Sequence, residues 1–108
     1  MHRHAVVFTP RAQRQLDSLY AAIAAHGGEP TADNYVGGIV TACLSLATFP
    51  ERGTKRDDIR PILRTMGYAR RVTVAFSVDA ATRTVAIHGV FYGGQDFEQL
   101  LRDSAGDD

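Results

Sequence analysis

The spacing of apolar residues changes along this chain, and each change predicts an element. Ala5-Val6-Val7-Phe8 is a continuous apolar run of strand length. It leads into Thr9-Pro10, where the threonine side chain can cap a helix and proline fills the first helical position, whose N–H needs no partner. From there Ala12, Leu16, Leu19, Tyr20 and Ile23 recur at helical spacing, while Arg11, Arg14, Asp17 and Ser18 fall elsewhere. Gly27-Gly28 supplies the stop. A second helical period follows Pro30-Thr31, with Tyr35, Ile39, Ala42, Cys43, Leu46 and Ala47 on one face, and ends at Phe49-Pro50. Gly37-Gly38 inside it weakens the helix by about 1 kcal/mol per glycine relative to alanine, which points to close packing against the first helix. The two segments form a helical hairpin.

Past a polar loop at 51–58 the period becomes two. Ile62 to Met66 reads as a strand, and Arg71 to Val78 alternates, with Val72, Val74, Phe76 and Val78 on one face. After the turn Asp79-Ala80-Ala81-Thr82, the run Thr84 to Tyr92 alternates again. Val85, Ile87, Gly89 and Phe91 share one face; Thr84, Ala86, His88, Val90 and Tyr92 share the other. Pairing Phe76 with Val85 makes the apolar faces coincide, as a buried face demands. That register sets Arg71 opposite Val90 and diagonal to His88 and Tyr92. Gly93-Gly94 ends the strand, and 97–108 reads as a short acidic helix or a disordered tail. Together these elements predict one α+β domain over residues 1–108. Its order is an N-terminal strand, a two-helix hairpin, an antiparallel sheet of about three strands and a short C-terminal helix.

Composition narrows the class. A chain of 108 residues can bury roughly two-thirds of its unfolded surface without disulfide or metal staples. No apolar stretch approaches the roughly 20 residues of a membrane span. The N-terminus has neither the length nor the cleavage site of an export signal, so the expected location is the cytoplasm. Cys43, the only cysteine, falls among apolar residues and reads as a small core residue rather than a nucleophile.

The formal charge is zero, but the zero conceals segregation. Between Arg52 and Arg71 seven basic residues (Arg52, Lys55, Arg56, Arg60, Arg64, Arg70, Arg71) face only Asp57 and Asp58. From Asp96 onward five carboxylates accompany one arginine, Arg102. A basic stretch of this kind suits a phosphate-bearing or carboxylate-bearing partner.

The predicted sheet face away from the helices gathers Arg71, His88 and Tyr92, with Arg64 on a neighbouring strand. Arginine can stabilise a phosphorane-like transition state while tyrosine or histidine moves a proton, the division of labour of a ribonuclease. A solvated or partner-covered sheet face accounts for the same residues. Motifs for nucleotide phosphate, zinc-protease or paired-cysteine sites do not occur, so no cofactor or metal is expected. His2 and His4 read as part of a tail, and Asp57-Asp58 between Arg56 and Arg60 as a self-neutralising loop.

Several fragments, in order, carry a resemblance that covers nearly the whole chain. They are Val7-Phe8-Thr9-Pro10-Arg11-Ala12 with Leu16, Phe49-Pro50-Glu51-Arg52-Gly53, Arg56-Asp57-Asp58-Ile59-Arg60 and Leu63-Arg64. Arg70-Arg71-Val72 leading into Phe76 follows, then the ending Val85-Ala86-Ile87-His88-Gly89-Val90-Phe91-Tyr92-Gly93-Gly94-Gln95-Asp96. The chain resembles the ParE/RelE superfamily of type II toxin-antitoxin toxins, and its Phe-Pro-x-x-Gly segment looks more like ParE than RelE. The resemblance implies a toxin neutralised by a cognate antitoxin that lies along its surface, with Val90 and Tyr35 among exposed apolar contacts. A ParE-like member implies inhibition of DNA gyrase by binding, through Arg56, Arg60, Arg64, Arg70, Arg71, His88 and Tyr92. A RelE-like member implies ribosome-dependent mRNA cleavage by Arg64, Arg71 and Tyr92. The lysine-rich stretch of many RelE-type nucleases is reduced here to Lys55-Arg56. The basic ending usual in ParE is replaced by Tyr92-Gly93-Gly94-Gln95-Asp96.

Overall fold

The computed structural model describes residues 3–93 and 95–103. Strand β1 (Ala5–Phe8) feeds directly into α1 (Pro10–Gly27), where the Thr9 hydroxyl accepts the Ala12 N–H at 3.2 Å, as the sequence predicts. Helix α2 (Glu29–Leu44) follows Gly28, whose φ of 87° suits a glycine, and closes with one tight 3-10 turn at Ser45–Ala47. Then come β2 (Thr54–Lys55), β3 (Leu63–Tyr68), β4 (Val72–Asp79), β5 (Thr84–Tyr92) and α3 (Phe97–Asp103). The C-terminal prediction thus splits: a helix forms at its start, and 104–108 lie outside the described residues. His2 also lies outside them. Among the described residues no helix is long and apolar enough to cross a membrane.

The sheet has five strands rather than three, in the order β1-β5-β4-β3-β2. β1 lies parallel on β5, and the remaining pairs are antiparallel. The extra strand β2 is two exposed residues in the loop predicted over 51–58, too short to show a period.

The register of the last hairpin differs from the alternation reading. Phe76 lies opposite Ile87, Val78 opposite Val85, and Asp79 opposite Thr84. The turn therefore starts one residue later, held by the Asp79 carboxylate accepting from the N–H groups of Ala81 and Thr82. Ala75 pairs with Gly89 while Phe76 pairs with Ile87, which leaves His88 as the extra residue of a β-bulge. A one-residue insertion flips every side chain beyond it. Val85 and Ile87 face the helices before the bulge. After it Val90 joins them and Phe91 turns to the opposite face. Arg71 therefore stands beside Gly93, whose N–H donates to the Arg71 carbonyl at 2.8 Å, and not opposite Val90.

The main core lies between the sheet and the helical hairpin. Leu16 and Leu19 of α1 and Ile39 and Cys43 of α2 pack on Val72, Val74, Phe76, Val85, Ile87 and Val90. Fully burying a side chain such as Phe76 or Ile39 contributes about 1.5–3 kcal/mol. Val90 is only 3% exposed, which removes it from the expected surface contacts. The glycine pair of α2 serves the sheet rather than α1. A Cβ at Gly38 would meet the Tyr68 hydroxyl at 2.0 Å, whereas one at Gly37 would meet open space. On the far face a smaller core joins Leu63, Ala75 and Phe91 to Leu101 of α3.

Candidate macromolecular interface

The seven arginine, histidine and tyrosine candidates do not form one surface; they fall into four places. Arg56 and Arg60 lie on the loop before β3, beneath α3. The Arg56 guanidinium donates to both oxygens of Asp58, at 3.0 and 2.9 Å, and to Glu98 of α3. It also lies 5.9 Å from the centre of the Phe97 ring. Arg60 donates to the Leu101 carbonyl at 2.9 Å. Arg102 approaches Asp58 to 3.8 Å. The hydrogen bond from Arg56 is the largest cause holding the Asp58 carboxyl below its ordinary range. The basic and acidic segments of the sequence are therefore partners in space, and α3 is the link that alternation and charge counting did not reveal.

Arg70 and Arg71 occupy the β3–β4 turn and are exposed. Ala69 and Arg70 have φ of 51° and 65°, and the Arg71 N–H donates to the Tyr68 carbonyl at 3.3 Å. Two successive positive φ values are those of a type I′ hairpin turn, normally filled by asparagine and glycine. Ala69-Arg70 carries no such signature, so the tip is tighter than its residue types indicate.

Beneath the tip three tyrosines meet. The Tyr35 ring of α2 packs edge-on against Tyr68 at 5.9 Å and Tyr92 at 6.4 Å. Burial, then the neighbouring Tyr92 and Tyr68, raises the Tyr35 phenol above its ordinary value, and nearby Arg71 pulls the other way. A phenol so placed stays protonated at neutral pH. Tyr92 turns toward the helices and not toward the far sheet face, a consequence of the bulge.

Arg64 shares the helix-facing side of β3 and donates to the Arg52 carbonyl at 3.2 Å. It lies four residues before Tyr68, about 13 Å along the strand at roughly 3.3 Å per residue. Arg71 and Tyr92 both neighbour Tyr35; Arg64 is not with them. His88 sits at the bulge on the opposite face, its Nε2 within 2.7 Å of the Ser77 hydroxyl. The expectation that Arg71, His88 and Tyr92 gather on the face away from the helices, with Arg64 beside them, is thus overturned by the register and the bulge, which leave only His88 on that face. Burial pushes the Cys43 thiol up to about 12, the value of an inert core cysteine. Among the described residues no cluster of histidine, cysteine and carboxylate groups suits a metal ion.

Residues 6–97 match the model of the ParE toxin of the type II toxin-antitoxin system parDE. The chain belongs to the ParE toxin family. Its fold is similar to that in a chromosomal ParDE toxin-antitoxin system from P. aeruginosa. There the TM-score is 0.72 at 22% identity, covering 86% of this chain and 99% of that one. It is also similar to a chain of the toxin-antitoxin complex RelBE2 from Mycobacterium tuberculosis. That TM-score is 0.62 at 20% identity, covering 88% of this chain and 97% of the other. No curated protein matches. At these identities the two structures bear on the fold, whose α+β order agrees with the ParE/RelE architecture. The family membership makes the chain a type II toxin.

Proposed function

We propose that this ParE-family toxin acts in the cytoplasm by binding DNA gyrase without chemistry, and that a cognate antitoxin neutralises it. The observation that carries the reading is the separation of the three groups a nuclease would use. Arg71 and Tyr92 gather at Tyr35, whereas Arg64 lies down the strand and is engaged with the Arg52 carbonyl. General acid–base work needs its groups within hydrogen-bond reach of one reacting site. A binding surface has no such requirement, and the exposed Arg70-Arg71 tip offers guanidinium forks to carboxylate or phosphate. Arg56 and Arg60 are occupied by α3 in this arrangement.

Gyrase supercoiling assayed with the purified chain tests the proposal. Inhibition at micromolar concentration, with mRNA on programmed ribosomes left intact, is the expected result. Unimpaired supercoiling together with mRNA cleavage that disappears in the Tyr92→Phe variant would replace it with the ribonuclease reading.

A further inference from the structure

The seven basic residues between 52 and 71 divide by what they touch. Arg56 and Arg60 are engaged by α3. Among the described residues, Arg52, Lys55, Arg64, Arg70 and Arg71 have no carboxylate within ion-pair distance. Lys55 and Arg64 even stand directly opposite each other across β2 and β3, a like-charge pairing that lowers stability. Glu51 and Asp57 line a cavity of about 450 Å³ with them yet form no ion pair with either. Asp57 instead accepts the Ile62 N–H at 3.0 Å.

These cations lie at the two ends of one flank. Helix α2 runs alongside β3, since a Cβ at Gly38 would meet the Tyr68 hydroxyl, and Gly38 belongs to the row Asn34, Gly38, Thr41 and Ser45 at helical spacing. At one end Arg71 stands beside Tyr35, with Arg70 next to it on the tip. At the other the Arg52 guanidinium donates to the Ser45 hydroxyl at 2.8 Å, and Arg64 donates to the Arg52 carbonyl. Tyr35 and Ser45 are about 15 Å apart at 1.5 Å per helical residue. Neither the stretch from Asn34 to Pro50 nor β3 contains an acidic residue.

Separated cations with a small, uncharged middle suit a repeating anion better than a protein surface, whose binding energy concentrates in a buried apolar or aromatic centre. The phosphate backbone of a duplex is such a repeat, with one charge per roughly 1.7 Å of axis. A single strand is held instead by successive rings on which its bases stack. Here the Phe49 ring already carries the Arg52 guanidinium 5.6 Å from its centre, and Tyr68 and Tyr92 pack edge-on against Tyr35.

We infer that this flank is a sequence-independent binding surface for duplex DNA. Arg70 and Arg71 hold one stretch of the phosphate backbone, and Arg52, Lys55 and Arg64 hold another. The inference goes beyond the gyrase reading and does not need it, because the contact is with DNA itself. A formal charge of zero keeps the contact in the range of non-specific binding, about 10⁻⁴–10⁻⁶ M.

The test titrates the purified full chain into a fluorescent duplex of about 15–20 base pairs, read by anisotropy. With about four phosphates engaged, binding is expected to weaken on the order of a hundredfold between about 50 and 200 mM salt. Lys55→Gln and Arg70→Gln, one at each end and both exposed, are each expected to weaken binding equally on unrelated sequences and to reduce the salt slope by about 1. Arg102→Gln, on α3 and off the flank, is expected to bind as the unaltered chain does. No binding at the lower salt, a loss confined to one of the two flank variants, or an equal loss in Arg102→Gln overturns the inference. Tighter binding of a single-stranded RNA of the same length overturns the assignment to duplex DNA. Supercoiling inhibited by a chain that fails this titration leaves the gyrase reading standing.

Discussion

The two faces of the sheet are covered by different kinds of force. On one, α1 and α2 press a continuous apolar layer onto Val72, Val74, Phe76, Val85 and Ile87. On the other, the single short helix α3 adds Leu101 and Phe97 to a small patch of Leu63, Ala75 and Phe91, and is held besides by Arg56 with Glu98 and Asp58 and by Arg60 on the Leu101 carbonyl. The first face defines the fold. The second is expected to lift as a cover before the rest unfolds, because local opening follows where buried apolar contacts are few. The contrast also sorts the arginines. Those at 56 and 60 are held by the cover, and those at 70 and 71 stand clear of it.

The largest break in this contrast is Phe76→Ala. It should lower global stability by about 3–5 kcal/mol, read as a drop in the urea midpoint with an unchanged slope. Leu101→Ala removes an equally buried side chain, yet it should cost about 2 kcal/mol or less because α3 can detach locally instead. Amides of 97–102 should then exchange faster while those of β4 are unchanged. Equal losses from the two substitutions would mean that both faces form one cooperative unit. Glu98→Gln should cost about 0.5–1 kcal/mol, the range of a partly exposed ion pair, with less effect at high salt.

The smallest effect is on pH dependence. Asp58 has its pKa depressed when folded, so its contribution is fully present above the unfolded value near about 4 and is lost as pH falls through the folded value. Loosening of α3 is therefore expected only on acidification below that point, with none between neutral pH and the unfolded value. An NMR titration of the Asp58 carboxyl checks this.

Much of this arrangement can be read from the residues alone. The Thr9-Pro10 cap, the helical period of α1 and the alternation in β4 reflect local preferences, and the structure follows them. The bulge does not announce itself, because a run such as Ile87-His88-Gly89-Val90 keeps its alternation whether or not one residue is skipped. Its consequence is large: it buries Val90, turns Tyr92 toward Tyr35, and leaves His88 with Ser77 on the other face. The clamp of α3 was equally hidden, since Arg56 and Glu98 meet across 42 positions of sequence. Charge segregation was visible, but its meaning was reversed. The opposite blocks attract each other before either meets a partner.

The claim that the exposed tip acts by binding is tested most directly by gyrase supercoiling with the unaltered chain beside the Arg70→Glu, Arg71→Glu double variant. The account predicts inhibition by the first and a loss of potency of about tenfold or more in the second, with circular dichroism and urea midpoint unchanged. Supercoiling indifferent to the unaltered chain, or equal inhibition by both proteins, would contradict it.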